Sequence, residues 1–187
     1  NPGLYSVTAT GSNGCTASAS INITRNTTPP NASITNNSGT NELTCTTTSI
    51  SLTATGGDSY NWSNGLGAGA TKLITQPGLY SVTVTGSNGC AATASVTVNV
   101  NTTAPTANAG PTQNLNCTTT STTIGSTAVS GNSYSWAPST GLNATNIAQP
   151  TASAAGTYIV TVTNTTNGCS ATAQVVISQN NTPPTAN

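Results

Sequence analysis

The residues that could support acid–base or nucleophilic chemistry are few in this chain. Its 187 residues include two carboxylates, Glu42 and Asp58, two cations, Arg25 and Lys72, and no histidine. General acid–base catalysis needs a positioned titratable pair, and a serine or threonine nucleophile needs an adjacent base. The sequence therefore predicts that the chain is not an enzyme and holds no cofactor.

Cysteine is the remaining reactive side chain. There are five, and none belongs to a C-x-x-C pair or has a histidine to share a metal with, so we predict no metal site. They fall into two kinds by local sequence. One kind follows a Leu-x pair and precedes three threonines, and the other directly follows an Asn-Gly pair. The first kind comprises Cys45 and Cys117, and the second comprises Cys15, Cys90 and Cys169.

The element that positions these cysteines is a repeated hairpin. The run GLYSVTVTGSNGC, from Gly78 to Cys90, recurs as residues 3–15 and, loosened, as residues 156–169. Its apolar and polar residues alternate, which is typical of a half-buried strand. An Asn-Gly pair between two alternating runs is a strong hairpin signal. We therefore predict that each repeat ends in a β-hairpin.

The spacing of the repeats indicates small modules. Tyr5, Tyr80 and Tyr158 lie 75 and 78 residues apart, a period that suits β-sandwich modules better than solenoid repeats. We predict an all-β chain of tandem immunoglobulin-like β-sandwich modules. The closing hairpin of a partial module occupies residues 1–28 (repeat one), and complete modules occupy 29–103 (repeat two) and 104–182 (repeat three). Residues 183–187 would begin the next, so we expect a window from a longer polypeptide.

Four aromatic side chains are expected to form the cores of these modules: Trp62 and Tyr80 in repeat two, and Trp136 and Tyr158 in repeat three. A tryptophan on the third strand is common in immunoglobulin-like sandwiches. In repeat three we also predict a second strand carrying Ile124 and Ala128, a short strand at Ile147, and an inserted loop over residues 151–155.

Each complete repeat owns one cysteine of each kind, which favours the pairs Cys45–Cys90 and Cys117–Cys169. Cys15 would then pair with a partner upstream. Each bridge would stabilise its module by roughly 3 to 4 kcal/mol and would imply an oxidising compartment. The rival is a bridge between modules, because the first and last hairpin turns of a seven-strand sandwich lie at opposite ends.

Charge excludes several classes of partner. Charged residues make up 2% of the chain, against about 25% in ordinary proteins. Nucleic acids and anionic lipids both need clustered lysine or arginine, so neither is an expected partner. No apolar run is long enough to span a membrane. A disordered chain is the alternative for such a polar composition, but the alternating valine, isoleucine and aromatic residues favour ordered strands.

Together, SYNWSNG (59–65) and the hairpin GLYSVTVTGSNGCAATASVTVNV (78–100) resemble the tandem immunoglobulin-like or PKD-like repeats of giant Bacteroidetes surface proteins, including SprB-type gliding-motility adhesins. The resemblance extends over essentially the whole chain. It implies export by the type IX system, display at the cell surface, and a role in adhesion or motility. Many PKD modules have an aspartate-rich turn after the third-strand tryptophan, and this chain lacks it.

The favoured function is therefore a non-catalytic stalk segment of an extracellular adhesin, whose partners are neighbouring modules of the same chain. Two alternatives stay open. The chain could be a filament subunit that associates with other copies, because its strand edges lack protective charges. It could instead bind a surface polysaccharide through the loops at residues 65–69 and 143–146. A role as an accessory domain beside a catalytic domain is a further hypothesis.

Overall fold

The computed structural model describes residues 1–183, and the regular structure in that part of the chain is entirely β. Repeat one forms a single antiparallel hairpin. Its strands are β1 (Gly3–Thr10) and β2 (Thr16–Ile23), paired from Gly3 opposite Ile23 to Thr10 opposite Thr16. The predicted Asn-Gly turn joins them, with Gly14 at a φ of 78°. Positive φ is readily available to glycine, which explains its place in this turn.

Repeat two contains eight strands, in which buried and exposed residues alternate as the sequence pattern predicts. They are β3 (Ser33–Asn36), β4 (Glu42–Leu43), β5 (Ile50–Thr55), β6 (Ser59–Trp62), β7 (Gly67–Ala68), β8 (Thr71–Ile74), β9 (Gly78–Thr85) and β10 (Ala91–Val100). They form a three-stranded sheet of order β3-β5-β8 and a five-stranded sheet of order β4-β10-β9-β6-β7.

Repeat three contains six strands: β11 (Gln113–Asn116), β12 (Thr122–Thr123), β13 (Asn132–Ala137), β14 (Thr151–Ala152), β15 (Gly156–Asn164) and β16 (Ser170–Asn180). The order β11-β16-β15-β13 makes a four-stranded sheet, and β12 pairs with β14 in a second, small sheet. Side chains from both sheets share one core, so the repeat is an immunoglobulin-like sandwich. This core consists of Ala109, Leu115, Ile124, Trp136, Ala152, Tyr158, Val160, Val162, Val175 and Ile177.

The four aromatic residues expected in the cores, Trp62, Tyr80, Trp136 and Tyr158, are all buried. Both indole N–H groups donate to main-chain oxygens, Trp62 to Gly69 at 2.9 Å and Trp136 to Ile147 at 3.0 Å. A buried indole N–H needs such an acceptor, because an unpaired polar group in a core is costly. Two loops therefore take part in the packing of the tryptophans.

Three details of repeat three differ from the prediction. Ala128 is exposed and lies outside any strand, because β12 ends at Thr123. Ile147 also lies outside a strand and is exposed. The segment predicted as an inserted loop instead supplies β14, whose Thr151 pairs with Thr123 of β12. A two-residue strand is too short to show a period in the sequence. The predicted short strand at Ile147 therefore lies a few residues before the observed strand β14.

By contacts within the chain, the fold comprises two compact units. The first contains residues 1–37, 51–72 and 79–97, and the second contains residues 38–50, 73–78 and the chain from Val98 onward. The repeat boundaries at 28, 103 and 182 stay predictions from sequence. The start of the next repeat, at 183–187, lies outside the described residues except for Pro183.

Candidate functional site

The structural feature with the clearest chemistry lies where repeat two meets repeat three, inside the second compact unit. Strand β4 of repeat two pairs in parallel with the end of β10, with Leu43 opposite Val100. The next residue, Asn101, donates its main-chain N–H to the oxygen of Leu43 at 2.8 Å. These bonds hold the loop after β4, which carries Cys45, beside the linker that leaves repeat two.

A disulfide joins Cys45 of this loop to Cys169 of repeat three, across 124 residues of sequence and with a Cα–Cα distance of 5.1 Å. Within residues 1–183, Cys15, Cys90 and Cys117 are free thiols. The favoured pairs Cys45–Cys90 and Cys117–Cys169 are therefore wrong, and the rival bridge between repeats is the one present. A disulfide is typical of secreted and extracellular proteins.

The physical reason is the length of the last strand. Cys169 directly precedes β16, which is 11 residues long. At the far end of β16, Asn180 pairs with Asn116, the residue before Cys117. A strand of this length spans about 36 Å, whereas a disulfide needs its Cα atoms within about 7 Å. The two cysteines of one repeat thus lie at opposite ends of it, too far apart to bond.

Asn167 completes the joint, and sequence reasoning did not single it out. Its side chain is 1% exposed. Its amide nitrogen donates to the side-chain oxygen of Asn101 at 2.9 Å and to the main-chain oxygen of Thr103 at 3.0 Å. Its side-chain oxygen accepts from the N–H of Cys169 at 3.0 Å. Its main-chain oxygen accepts from the N–H of Cys45 at 3.1 Å.

The buried side-chain amide of Asn167 therefore hydrogen-bonds both the linker and Cys169. The main-chain oxygen of Asn167 hydrogen-bonds Cys45, the other half of the disulfide. Buried polar groups that are fully hydrogen-bonded fix a single geometry, which makes Asn167 the clamp of the joint. The signal that could have revealed it is the triplet Asn-Thr-Thr, which recurs at residues 26–28 and 101–103. The side chain of Asn101 and the carbonyl of Thr103 belong to the second copy.

Gly168 is required for the same contact. Its φ is 70°, and a Cβ at this position would collide with the side chain of Thr46, next to Cys45. A glycine both adopts the left-handed backbone of the turn and lets the loop of repeat two approach it. The Asn-Gly pair that signals the hairpin also makes the docking surface for the preceding repeat.

A second joint shows part of the same arrangement, this time within the first compact unit. Asn88 occupies the place of Asn167 in the turn of repeat two, and its amide nitrogen donates to the main-chain oxygen of Thr28 at 2.9 Å. Thr28 corresponds to Thr103 in the aligned linkers. Cys90, at the place of Cys169, is half-buried and unbonded.

Of the four charged side chains, that of Lys72 has a clear structural contact. The ammonium of Lys72 donates to the main-chain oxygen of Ala68 at 2.6 Å, close to the loop at residues 65–69. Among the described residues, no three histidine, cysteine, aspartate or glutamate side chains come together in a way that could hold a metal. Within residues 1–183, no helix has the length and apolar character that crossing a bilayer requires.

The loops predicted to bind a polysaccharide have structural duties. The loop at residues 65–69 provides the oxygen of Gly69 for Trp62, and the loop at 143–146 provides the oxygen of Thr145 for the main-chain N–H of Trp136 at 2.8 Å. An open apolar groove lies instead on the hairpin of repeat one, lined by Tyr5, Val7, Ile21 and their neighbours.

Comparisons with solved structures return multi-domain chains at low identity, among them tandem Ig domains. Eight N-terminal Ig domains of Down syndrome cell adhesion molecule match 96% of this chain at 12% identity, with a TM-score of 0.45. Extracellular domains 3–5 of Drosophila OTK also match 96%, at 12% identity and a TM-score of 0.40. Domains 4 and 5 of the S-layer protein SbsC match 81%, at 13% identity and a TM-score of 0.34.

The chain spans 28% of the cell adhesion molecule fragment, 71% of the OTK fragment and all of the SbsC fragment. No protein-family model matches the chain, and no curated protein matches its sequence.

Proposed function

We propose that this chain is a non-catalytic repeat segment of the stalk of an extracellular adhesin, in which tandem immunoglobulin-like repeats provide reach. The observation that carries the proposal is the disulfide between Cys45 and Cys169, which ties consecutive repeats to each other. A module built for catalysis or ligand binding gains little from such a tie. A spacer gains resistance to bending and unfolding at its joints.

The surface chemistry supports the same function. Strands rich in threonine and serine can be stabilised by cross-strand pairs without any ionic partner. The hydroxyls of Thr53 and Thr71, on neighbouring strands, form such a pair at 3.0 Å. With a charged fraction of 2%, these surfaces depend little on ionic strength, which suits a protein exposed to the external medium.

The finer proposal follows the resemblance of the hairpin and third-strand motifs. The stalk would be exported by the type IX system, displayed at the cell surface, and used in adhesion or gliding motility. Its partners would be neighbouring repeats of the same polypeptide. Locating the protein on intact cells with an antibody against repeat three, in strains with and without that secretion system, tests this assignment. Unchanged display without the system would contradict it.

Small-angle scattering of the 187-residue chain tests the stalk itself. A compact globule of this length has a radius of gyration of about 16 Å, and an unfolded chain has one of about 46 Å. We expect an intermediate radius of gyration. The distribution of interatomic distances should be broader for Cys45→Ser than for the bridged chain. A value near 16 Å would mean that the repeats collapse on one another, and the stalk would have to be abandoned.

A glycan array separates the stalk from a polysaccharide-binding module. The stalk proposal expects a flat response from the unmodified chain. Saturable binding that disappears when residues 65–69 are replaced by a glycine-serine loop of equal length would favour the binding module. Replacement of residues 143–146 is the matched test in repeat three.

A second candidate, a self-assembling filament subunit, is favoured by the exposed apolar face of the hairpin in repeat one. Val7 is 66% exposed, and Tyr5 and Ile21 are exposed on the same face. Exposed apolar faces of this kind often mark protein interfaces. Sedimentation of the chain over a hundredfold range of concentration distinguishes the candidates. Oligomers that disappear with Val7→Thr support the filament, and a monomer at every concentration supports the stalk.

A further inference from the structure

The cysteine-bearing turns of the three repeats share two hydrogen bonds, although the turn before Cys169 is one residue longer than the other two and only Cys169 forms a disulfide. In each, the N–H of the cysteine is bonded to the side-chain oxygen of the asparagine two residues earlier, at 3.1 Å for Cys15, 3.0 Å for Cys90 and 3.0 Å for Cys169. In each, the main-chain oxygen of the cysteine accepts a bond that closes the turn. The turn at Cys90 therefore holds its cysteine by the same two hydrogen bonds as the turn at Cys169.

The loops of the other cysteine kind also match. The N–H of Thr44 donates to the oxygen of Thr47 at 2.9 Å, and the N–H of Asn116 donates to the oxygen of Thr119 at 2.9 Å. Inside each loop, the side chain of the first residue accepts from the main chain three residues later. The loop that carries Cys117 therefore has the same hydrogen bonds as the loop that carries Cys45, but Cys117 is exposed and forms no disulfide.

We propose that Cys90 and Cys117 each form a disulfide of the same kind as Cys45–Cys169, each with a cysteine of an adjacent repeat. Cys90 takes the loop cysteine of the repeat that precedes it in the polypeptide, and Cys117 takes the turn cysteine of the repeat that follows. Every joint between consecutive repeats is then covalently locked. This inference deepens the proposed stalk function and rests on it.

The joint at Thr28 supports an occupant from the same polypeptide. Asn88 already holds the oxygen of Thr28, as Asn167 holds the oxygen of Thr103. At the complete joint the linker is part of the contact, so the bonded repeats are the two that this linker connects. What the joint at Thr28 lacks is a loop equivalent to residues 43–48.

The hairpin of repeat one needs the same missing segment. Tyr5 and Val7 are 50% and 66% exposed, whereas Tyr80 and Val82, which occupy the same places in repeat two, are 6% and 0% exposed. The additional chain in repeat two is its front part, residues 29–77. A front part of this kind ahead of residue 1 would supply both a cover for the apolar face and a loop cysteine for Cys90.

The covalent step is an ordinary thiol oxidation. Two thiols lose two protons and two electrons as one S–S bond forms, and a disulfide such as oxidised glutathione accepts them to become two thiols. No catalytic group of the chain takes part. The turn and loop contribute only the positions of the two sulfur atoms.

A chain extended by one repeat tests Cys117. A copy of residues 109–182 is added after Asn187, where the sequence PTAN at 184–187 repeats that at 105–108. After refolding with oxidised and reduced glutathione, peptide mapping is expected to find Cys117 bonded to the added copy of Cys169, with Cys45–Cys169 retained. A bond between the added copies of Cys117 and Cys169, or a reduced Cys117, would overturn the proposal.

A chain extended at its other end tests Cys90 independently. A copy of residues 29–75 is placed before Asn1, because Asn1-Pro2-Gly3 aligns with Gln76-Pro77-Gly78. The added copy of Cys45 is expected to bond Cys90. Cys90→Ser should leave the added Cys45 reduced, whereas Cys15→Ser should leave the bond unchanged. A bond to Cys15 would contradict the proposal. Hydrogen exchange across residues 3–23 should slow at least tenfold if the added segment folds onto the hairpin.

Both extended chains are also run on non-reducing gels. Bridges within one chain keep the protein monomeric, whereas dimers held by Cys90 or Cys117 would show that a second copy is the occupant and would overturn the assignment to an adjacent repeat. Bond mapping does not depend on particle dimensions. The expected disulfides in a compact particle would therefore contradict the stalk function and support the proposed disulfides. Other disulfides in an extended particle would support the stalk function and contradict the proposed disulfides.

Discussion

The side-chain amide of Asn167 donates a hydrogen bond of 3.0 Å to the main-chain oxygen of Thr103, 64 residues earlier in the chain. Asn88 and Thr28 make the same bond at 2.9 Å. Only the first pair lies beside a disulfide. The two joints therefore allow the contribution of the asparagine side chain to stability to be compared with and without a disulfide next to it.

We expect Asn167→Ala to lower the free energy of unfolding by about 2 to 4 kcal/mol, because it leaves buried partners in the linker and at Cys169 unsatisfied. Asn88→Ala is the matched control, and its exposed site should cost less than about 1 kcal/mol. Urea denaturation of the oxidised chain measures both. Equal losses at the two sites would show that burial of the amide contributes nothing.

Cys45→Ser should lower the free energy of unfolding by about 2 to 5 kcal/mol, because the bridge closes a loop of 124 residues that the unfolded chain would otherwise leave open. Cys117→Ser removes an exposed free thiol and should change stability by no more than about 0.5 kcal/mol. Thermal unfolding with and without a reductant provides the measurement. Reduction should lower the Tm of the unmodified chain and leave that of Cys45→Ser in place.

Gly125→Ala should destabilise repeat three by about 3 kcal/mol or more. Its φ is 89°, and a Cβ there would run into the main-chain oxygen of Ala148 and the ring of Trp136. Gly131 has a φ of 81° with nothing within 4 Å of its Cβ position, so Gly131→Ala isolates the backbone cost of about 1 kcal/mol. Denaturant midpoints of the two variants, followed by tryptophan fluorescence, give the difference. Similar midpoints would refute the close approach.

Val7 and Val82 hold the same place in repeats one and two but differ in exposure. Val82→Thr puts a hydroxyl into a fully buried site and should cost about 1 to 3 kcal/mol, whereas Val7→Thr should be within about 0.5 kcal/mol. Chemical denaturation measures both. If Val7→Thr were as damaging as Val82→Thr, the hairpin face would already be covered in solution.

Local pattern was enough to predict the hairpins and the buried aromatic residues. Alternation and the Asn-Gly turns locate β9 and β10 to within a few residues, because both signals act over short stretches of chain. Trp62 and Trp136 are expected in cores because a tryptophan on the third strand is common in immunoglobulin-like sandwiches. These features depend on neighbours in sequence, which one chain is sufficient to reveal.

The disulfide could not be predicted in this way, because its geometry is set by strand lengths and by pairing between distant segments. Counting one cysteine of each kind per repeat favoured bonds within repeats. The short parallel pairing of β4 with the end of β10, at Leu43 and Val100, is what moves Cys45 away from Cys90. Asn167 was overlooked because a turn asparagine has an adequate local role, and its bonds to Asn101 and Thr103 depend on the docking of another repeat.

The bond between Cys45 and Cys169 also sets the route that mechanical tension takes through the polypeptide. A pull on the two termini has a covalent path from residue 45 to residue 169 through sulfur, so residues 46–168 cannot be drawn out while the bond is intact. Fully stretched, that slack is roughly 400 Å long. A reducing agent would release it to the pulling force, which makes the oxidation state of one bond a control on how far the protein can be drawn out.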